Sequence, residues 1–250
     1  LKYIAWVKSG FMAEQEVIKH TKKIYKTWFS KEHSFWHKLG EFGVEILIIV
    51  FAVTISIWFH NWSEHTHQQA EVKEFLEGLK LDLLSDIQEM KSDQSSYEGQ
   101  KRIFNYLAAL KIGSPVSLDS MRKHQASLFN NTALNPNDGR FQGFKSSGKI
   151  GLIENHDIQN DIMDLYEEDI PALLSSTNTY TGYKNKFYEF IFKNKKRYTD
   201  STSNFIELLK TDEGNNWCAA LSNPAQVLER YQKCIDLMNR IVGEINRQYP

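Results

Sequence analysis

The chain has 250 residues, 41% hydrophobic and 13% aromatic, with 30 basic and 31 acidic side chains and a formal net charge of −1. The charge balance argues against a nucleic-acid binder, whose phosphate contacts demand a basic surface, and the apolar share argues against a disordered chain. The length leaves room for an anchor, a short leading segment and one sizeable domain.

The chain starts at Leu1, and Met12 opens the stretch MAEQEVIKHTKKIYKTWF, so residues 1–11 read as an upstream extension without a function of their own. From Val17 to Trp36, Ile18, Ile24, Tyr25, Trp28 and Phe29 alternate with lysines at roughly helical spacing. Two readings stay open for this basic segment, residues 1–43. It is either a helix lying on an anionic cytoplasmic leaflet or a poorly ordered tail.

Val44 to Trp62, VEILIIVFAVTISIWFHNW, reads as one membrane-spanning helix. Its length at helical rise is about 28 Å, close to the ~30 Å of a bilayer's hydrocarbon core. Thr54 and Ser56 interrupt the apolar run, but their hydroxyls can bond back to the helix backbone. Trp58, Phe59 and Trp62 cluster at the exit end, where amphipathic rings favour the headgroup level. Glu45, one turn inside the entry end, either snorkels or is neutralised, or meets a polar group on a partner's helix. The alternative for the whole stretch is a buried core helix, since the strictly apolar run is short.

Five lysines lie close before the span (Lys22, Lys23, Lys26, Lys31 and Lys38) and two close after it (Lys73 and Lys80). The positive-inside rule therefore expects a cytoplasmic N-terminus, an inner-membrane anchor and a periplasmic domain over residues 63–250. No small-residue cleavage site follows the apolar run, so the expectation is a signal anchor rather than a cleaved signal peptide.

Past Trp62 the helical pattern continues. Val72, Leu76, Leu79, Leu83, Ile87 and Met90 form a stripe on one face, extending the membrane helix to about Lys91 as a stalk. The stripe suits a coiled-coil seam or a bundle core; Phe75 and Leu84 widen it toward the core reading. The polar stretch Ser92–Gln100 predicts a bend or loop. A second short helix with Ile103, Tyr106, Leu107 and Leu110 should follow and end at Gly113–Pro115, and Ser117 should cap a third through Phe129. Asn130–Gly139 predicts a loop. Ser146, Ser147 and Gly148 predict a turn that either locks onto the bundle or roofs a ligand pocket, with Asn155 capping the next helix. Pro171 opens a long helix through Tyr198 with a basic end, Lys193, Lys195, Lys196 and Arg197; the helix dipole accounts for that end, and binding of acidic headgroups or a partner is the lesser alternative. Short Phe205–Leu209 and a final amphipathic helix from Pro224 complete an all-α architecture: one N-terminal transmembrane helix continuing as a long stalk into an antiparallel extracytoplasmic helical bundle.

Candidate chemistry is sparse. Cys218 and Cys234 make one possible disulfide, with two separate buried thiols as the alternative. Asp157, Asp161, Asp164 and Glu168 recur at helical spacing, which suits a solvated acidic face better than a cation site. His60, His65 and His67 with Glu64 lack the one-face pair of a zinc helix. No phosphate loop or nucleophile motif is present, so no cofactor, metal or enzyme activity is expected.

Two motifs, in order, carry a family resemblance. Glu45, Ile46 and Leu47 open an apolar span that Asn61, Trp62 and Glu64 close; Phe144 to Gly148, then Leu152, Ile153, Asn155 and Tyr166, form the second. The sequence resembles a family of single-pass inner-membrane proteins of Bacteroidota catalogued as a domain of unknown function, the 6090 family. Val44, Ala52, His60 and Ser63 depart from its pattern, and the loss of a mid-membrane glycine at Ala52 removes the basis for tight helix pairing there. The resemblance implies location and topology and carries no activity. The expected function is an interaction or scaffold subunit of an envelope complex. Its partners would be membrane lipid and other inner-membrane or periplasmic proteins or a second copy, with Glu45, Trp58 and Trp62 as the membrane or partner contacts. A periplasmic ligand sensor signalling through a partner is the alternative.

Overall fold

The computed structural model of the chain describes residues 22, 35–113, 115–116, 128–199 and 202–249. Among them there is no strand beyond one isolated bridge, Arg197 to Ser203. The chain divides into two compact units, residues 1–70 and 71–250. The expected interfacial helix over Val17–Trp36 and the expected third helix from Ser117 lie almost wholly outside the described residues.

Helix α1, Phe35–Ala108, runs through both units without a break. In the first unit its side chains from Val50 to His67 are all exposed. It is the one helix among the described residues long and apolar enough to cross a membrane. Thr54 and Ser56 donate to the carbonyls of Val50 (2.7 Å) and Ala52 (2.8 Å), so neither hydroxyl confronts lipid unpaired. Trp58 and Phe59 meet edge to face at 5.0 Å.

In the second unit the same helix is the backbone of a bundle. Val72, Leu76, Leu79, Leu83, Ile87 and Met90 are all buried, as the stripe predicts, and Phe75 stacks on Phe144 at 3.9 Å. Leu84, by contrast, is 42% exposed and does not join the core. The bend expected at Ser92–Gln100 is absent, and the expected second helix is the end of α1, with Ile103, Phe104 and Leu107 buried. Two of the polar residues that suggested a loop, Asp93 and Gln100, point inward, and with Asp86 one turn and more before them they are buried and hold the returning chain.

That return is an extended segment, Asn130–Asp138, as the loop reading expects, leading into α2, Gly139–Ser146. It runs antiparallel to α1 along a ladder of side chains. Lys184 donates to Gln100 (3.0 Å) and to the carbonyl of Asn130. Thr132 donates to Asp93, and its carbonyl accepts from Tyr97 (2.8 Å). The Asn135 N–H reaches Glu89 (3.0 Å), Asn137 gives its side chain (2.6 Å) and backbone N–H (3.1 Å) to Asp86, and Arg140 meets Asp82 (2.9 Å). A Cβ at Gly78 would lie 2.3 Å from the Arg140 guanidinium carbon, so glycine makes room for that side chain.

After a 3-10 turn at Lys149–Leu152, α3 (His156–Asp164) begins at a cap in which the Asn155 carboxamide accepts from Asp157 (3.1 Å) and Ile158 (3.3 Å). It passes through a π turn, Leu165–Asp169, into α4, Ile170–Asn194. The helix therefore does not open at Pro171. A proline lacks an N–H and crowds the carbonyl one turn back, and the wider π turn absorbs both effects without ending the helix. At Lys195 the backbone turns extended, short of Tyr198.

Two short helices follow, α5 (Phe205–Leu209) and α6 (Asp212–Leu221), the second unforeseen. Thr211 caps α6 through the Gly214 N–H (3.1 Å), and a Cβ at Gly214 would fall 2.0 Å from the Leu208 carbonyl oxygen. Helix α7, Ala225–Gln248, closes the bundle. Tyr97 packs on Tyr180 and Phe104 on Phe187, so α4 runs parallel to α1. The Asp93–Tyr231 (2.8 Å), Gln94–Gln232 (3.2 Å) and Lys80–Asn246 (3.2 Å) bonds set α7 antiparallel to it.

Lys184 is 1% exposed, faces Gln100, the Asn130 carbonyl and the Tyr188 ring, and makes no ion pair among the described residues; burial lowers its pKa to about 8. Above that pH the unfolded chain holds a proton the folded chain has released, so this residue makes stability rise with pH. Between about pH 8 and 9.5 the full-length chain in mild detergent should gain about 1–2 kcal/mol relative to Lys184→Met. Chemical denaturation followed by circular dichroism at each pH measures this, and parallel profiles for the two proteins would contradict it.

Candidate functional site

The π turn places Asp164, Glu168 and Asp169 beside the face of α7 that carries Lys233, Asp236, Leu237 and Arg240, around an open cleft of about 450 Å³. Lys233 meets Asp169 at 2.6 Å, and that carboxylate, by its hydrogen bond and charge, holds the ammonium above its ordinary pKa. Arg240 grips Asp161 through two bonds of 2.6 Å. Both cations are thus spent on carboxylates of α3 and the π turn, leaving Asp164 and Glu168 facing the cleft without an ion pair among the described residues. Such a rim favours a cationic guest over an anionic one.

The acidic stripe is therefore divided. Asp157 stays exposed, Asp161 is committed to Arg240, and the other two line the cleft. Sequence reasoning missed the α7 wall, whose signal was Lys233, Asp236 and Arg240 on one face of an amphipathic helix. Among the described residues no group of His, Cys, Asp or Glu is placed to hold a metal, and His60, His65 and His67 are exposed.

Ser146, Ser147 and Gly148 form the expected turn, with Gly148 at φ 74°, but their hydroxyls are turned onto the chain itself. Ser146 donates to the Gln142 carbonyl (2.6 Å) and Ser147 to that of Phe144 (2.8 Å). Asn155 is occupied as a helix cap. These four residues hold local structure and do not meet the α7 cleft. Glu45 is 6% exposed although Val44 and Leu47 are 60% and 67% exposed, and Trp58 (61%) and Trp62 (60%) are open to their surroundings.

Cys218 and Cys234 are buried free thiols, so the staple considered from the sequence is not made. Burial pushes both up to about 12, and the Asp169 charge adds to the effect at Cys234. Tyr166 stacks on Phe141 at 4.4 Å, and its buried hydroxyl has no hydrogen-bond partner among the described residues.

The paired motifs thus fall on α1 and on the packed run from Phe144 to Tyr166. A family model described as Family of unknown function (DUF6090) matches residues 45–200. The chain belongs to this family. No curated protein and no solved structure matches it. The matched stretch takes in the apolar helix, the extended return, α2, α3 and α4, and stops before α5, α6 and α7. The family region therefore contributes one wall of the cleft, and the other wall comes from beyond it.

The native full-length chain should not react with a thiol reagent such as dithionitrobenzoate, because a protonated, buried thiol is a poor and shielded nucleophile. On unfolding without reductant, both cysteines should react. No thiol released under denaturing conditions would show that the two are bridged instead.

Proposed function

We propose that this protein is a single-pass inner-membrane anchor whose periplasmic helical bundle serves as an interaction or scaffold subunit of an envelope complex. The observation that carries the reading is the unbroken α1, which supplies both the apolar membrane helix and the central helix of the bundle. A helix shared in this way ties the bundle to its anchor, which suits a subunit that gathers partners at the membrane. The lysine bias ahead of the span supports a cytoplasmic N-terminus. The contact that the sequence suggests within the membrane is Glu45 with a polar group on a partner's helix.

A second reading, a periplasmic sensor that passes its signal to a partner, is favoured by the cleft beside the π turn. Such turns recur at functional sites, and Asp164 and Glu168 would select a small cation.

Extraction of the native protein in gentle detergent, then size exclusion with light scattering and mass spectrometry of co-eluting species, separates these readings. The scaffold reading expects a defined complex with other membrane or periplasmic proteins, or a self-assembly, weakened by Glu45→Ala. A monomer without companions overturns it, and a small cation retained by that monomer but lost in the Asp164→Asn, Glu168→Gln double variant favours the sensor.

A further inference from the structure

The end of the bundle where α1 and α4 terminate carries an uncovered cationic and aromatic loop. Lys193, Lys195, Lys196 and Arg197 are exposed, flanked by Phe192 at 69% and Tyr198 at 61% exposure. Ile112, in the turn past α1, is 86% exposed at the same end, to which the Asn215 side chain ties the Ala108 carbonyl (2.8 Å).

The loop has a defined shape. Asn204 accepts from the Lys196 N–H (2.6 Å) and donates to the Asn194 carbonyl (3.1 Å), and Tyr198 donates its N–H to the Thr202 carbonyl (3.0 Å). The helix dipole explains Lys193, which sits in the last turn of α4, but its effect fades within that turn, and the next three cations lie beyond it. Lys193, Lys195 and Lys196 make no ion pair among the described residues. Of the acidic residues close in the chain, Asp200 lies outside the described residues; Glu189, one turn before Lys193 on α4, and Glu207, Asp212 and Glu213, on α5 and α6, form no ion pair with these lysines.

Exposed lysines without an ion pair among the described residues, interleaved with outward aromatic rings, are the pattern that binds the interface of an anionic bilayer, with rings entering the headgroup level while ammonium groups meet phosphates. We propose that the Phe192–Tyr198 loop docks on an anionic lipid surface, giving the protein a second membrane contact besides its transmembrane helix. This goes beyond the scaffold reading and stands whichever protein the bundle holds, because its occupant is lipid.

The test uses the full-length chain in nanodiscs of phosphatidylcholine, mixed with dense vesicles of phosphatidylcholine alone or with added phosphatidylglycerol and collected by sedimentation. Binding to the anionic vesicles should exceed binding to neutral ones and weaken with salt. The Lys193→Gln, Lys195→Gln, Lys196→Gln triple variant should lose about 10- to 100-fold in partitioning. The Phe192→Ser, Tyr198→Ser double variant should bind more weakly while keeping its preference for anionic vesicles. Unchanged circular dichroism and melting identify the variants as folded. Equal binding to both vesicle types, or full binding by the triple variant, overturns the proposal. Binding to soluble polyglutamate but to neither vesicle also overturns it, and assigns the loop to an acidic protein surface.

Discussion

The bundle depends on how the extended segment from Asn130 to Asp138 is held. A chain without secondary structure of its own, packed against a helix, must find partners for its N–H and carbonyl groups or suffer the full cost of desolvating them. Here α1 provides them. Asp82, Asp86, Glu89, Asp93 and Gln100 lie on one face at helical spacing, and each takes a donor from the returning chain or from the lysine that grips it. Burial raises the Asp86 pKa while the two Asn137 donors oppose the rise, which is the electrostatic signature of a carboxylate desolvated for the sake of this contact.

The topology follows from that ladder. With the chain carried back along α1, α3 and α4 can run parallel to it, so Tyr97 meets Tyr180 and Phe104 meets Phe187 in the same direction of travel. A helical hairpin would have forced the second long helix antiparallel. The antiparallel member is instead α7, which reaches both neighbours. Its Tyr231 hydroxyl shares Asp93 with Thr132, and its Arg230 caps the Ala172 carbonyl and meets Ser176 at 2.5 Å. A single buried carboxylate thereby joins three parts of the chain that are distant in sequence.

What was legible in the sequence was whatever obeyed a period. The apolar run after Val44 and the stripe from Val72 to Met90 stand out because burial in lipid or in a core needs little more than side-chain hydrophobicity at helical spacing. The continuation through Ser92–Gln100 was not legible, because its inward residues are polar and a polar window reads as solvent-facing. Only the partners, Thr132, Tyr231 and Lys184, reveal that Asp93 and Gln100 are core residues. Leu84 erred in the opposite sense, as an apolar residue left outside. Helix α6 escaped notice because it is short and its cap, Thr211, sits among polar neighbours. The cleft was half visible: an acidic stripe announces a face, but not that Arg240 and Lys233 lie across from it.

The relation between the cleft and the family region bears on where function resides. The matched stretch ends beyond α4, yet the helices it contains leave an apolar side that α7 buries through Tyr231, Ile235, Met238, Ile241 and Ile245. The family core in this chain is therefore incomplete without a helix from outside it. The same helix brings the charges that bind Asp161 and Asp169 and so leaves Asp164 and Glu168 open. Packing requires only the apolar face of α7, and its polar face is free to set what the cleft accepts. The extended return and its ladder fix the frame, and α7 gives the frame its chemistry.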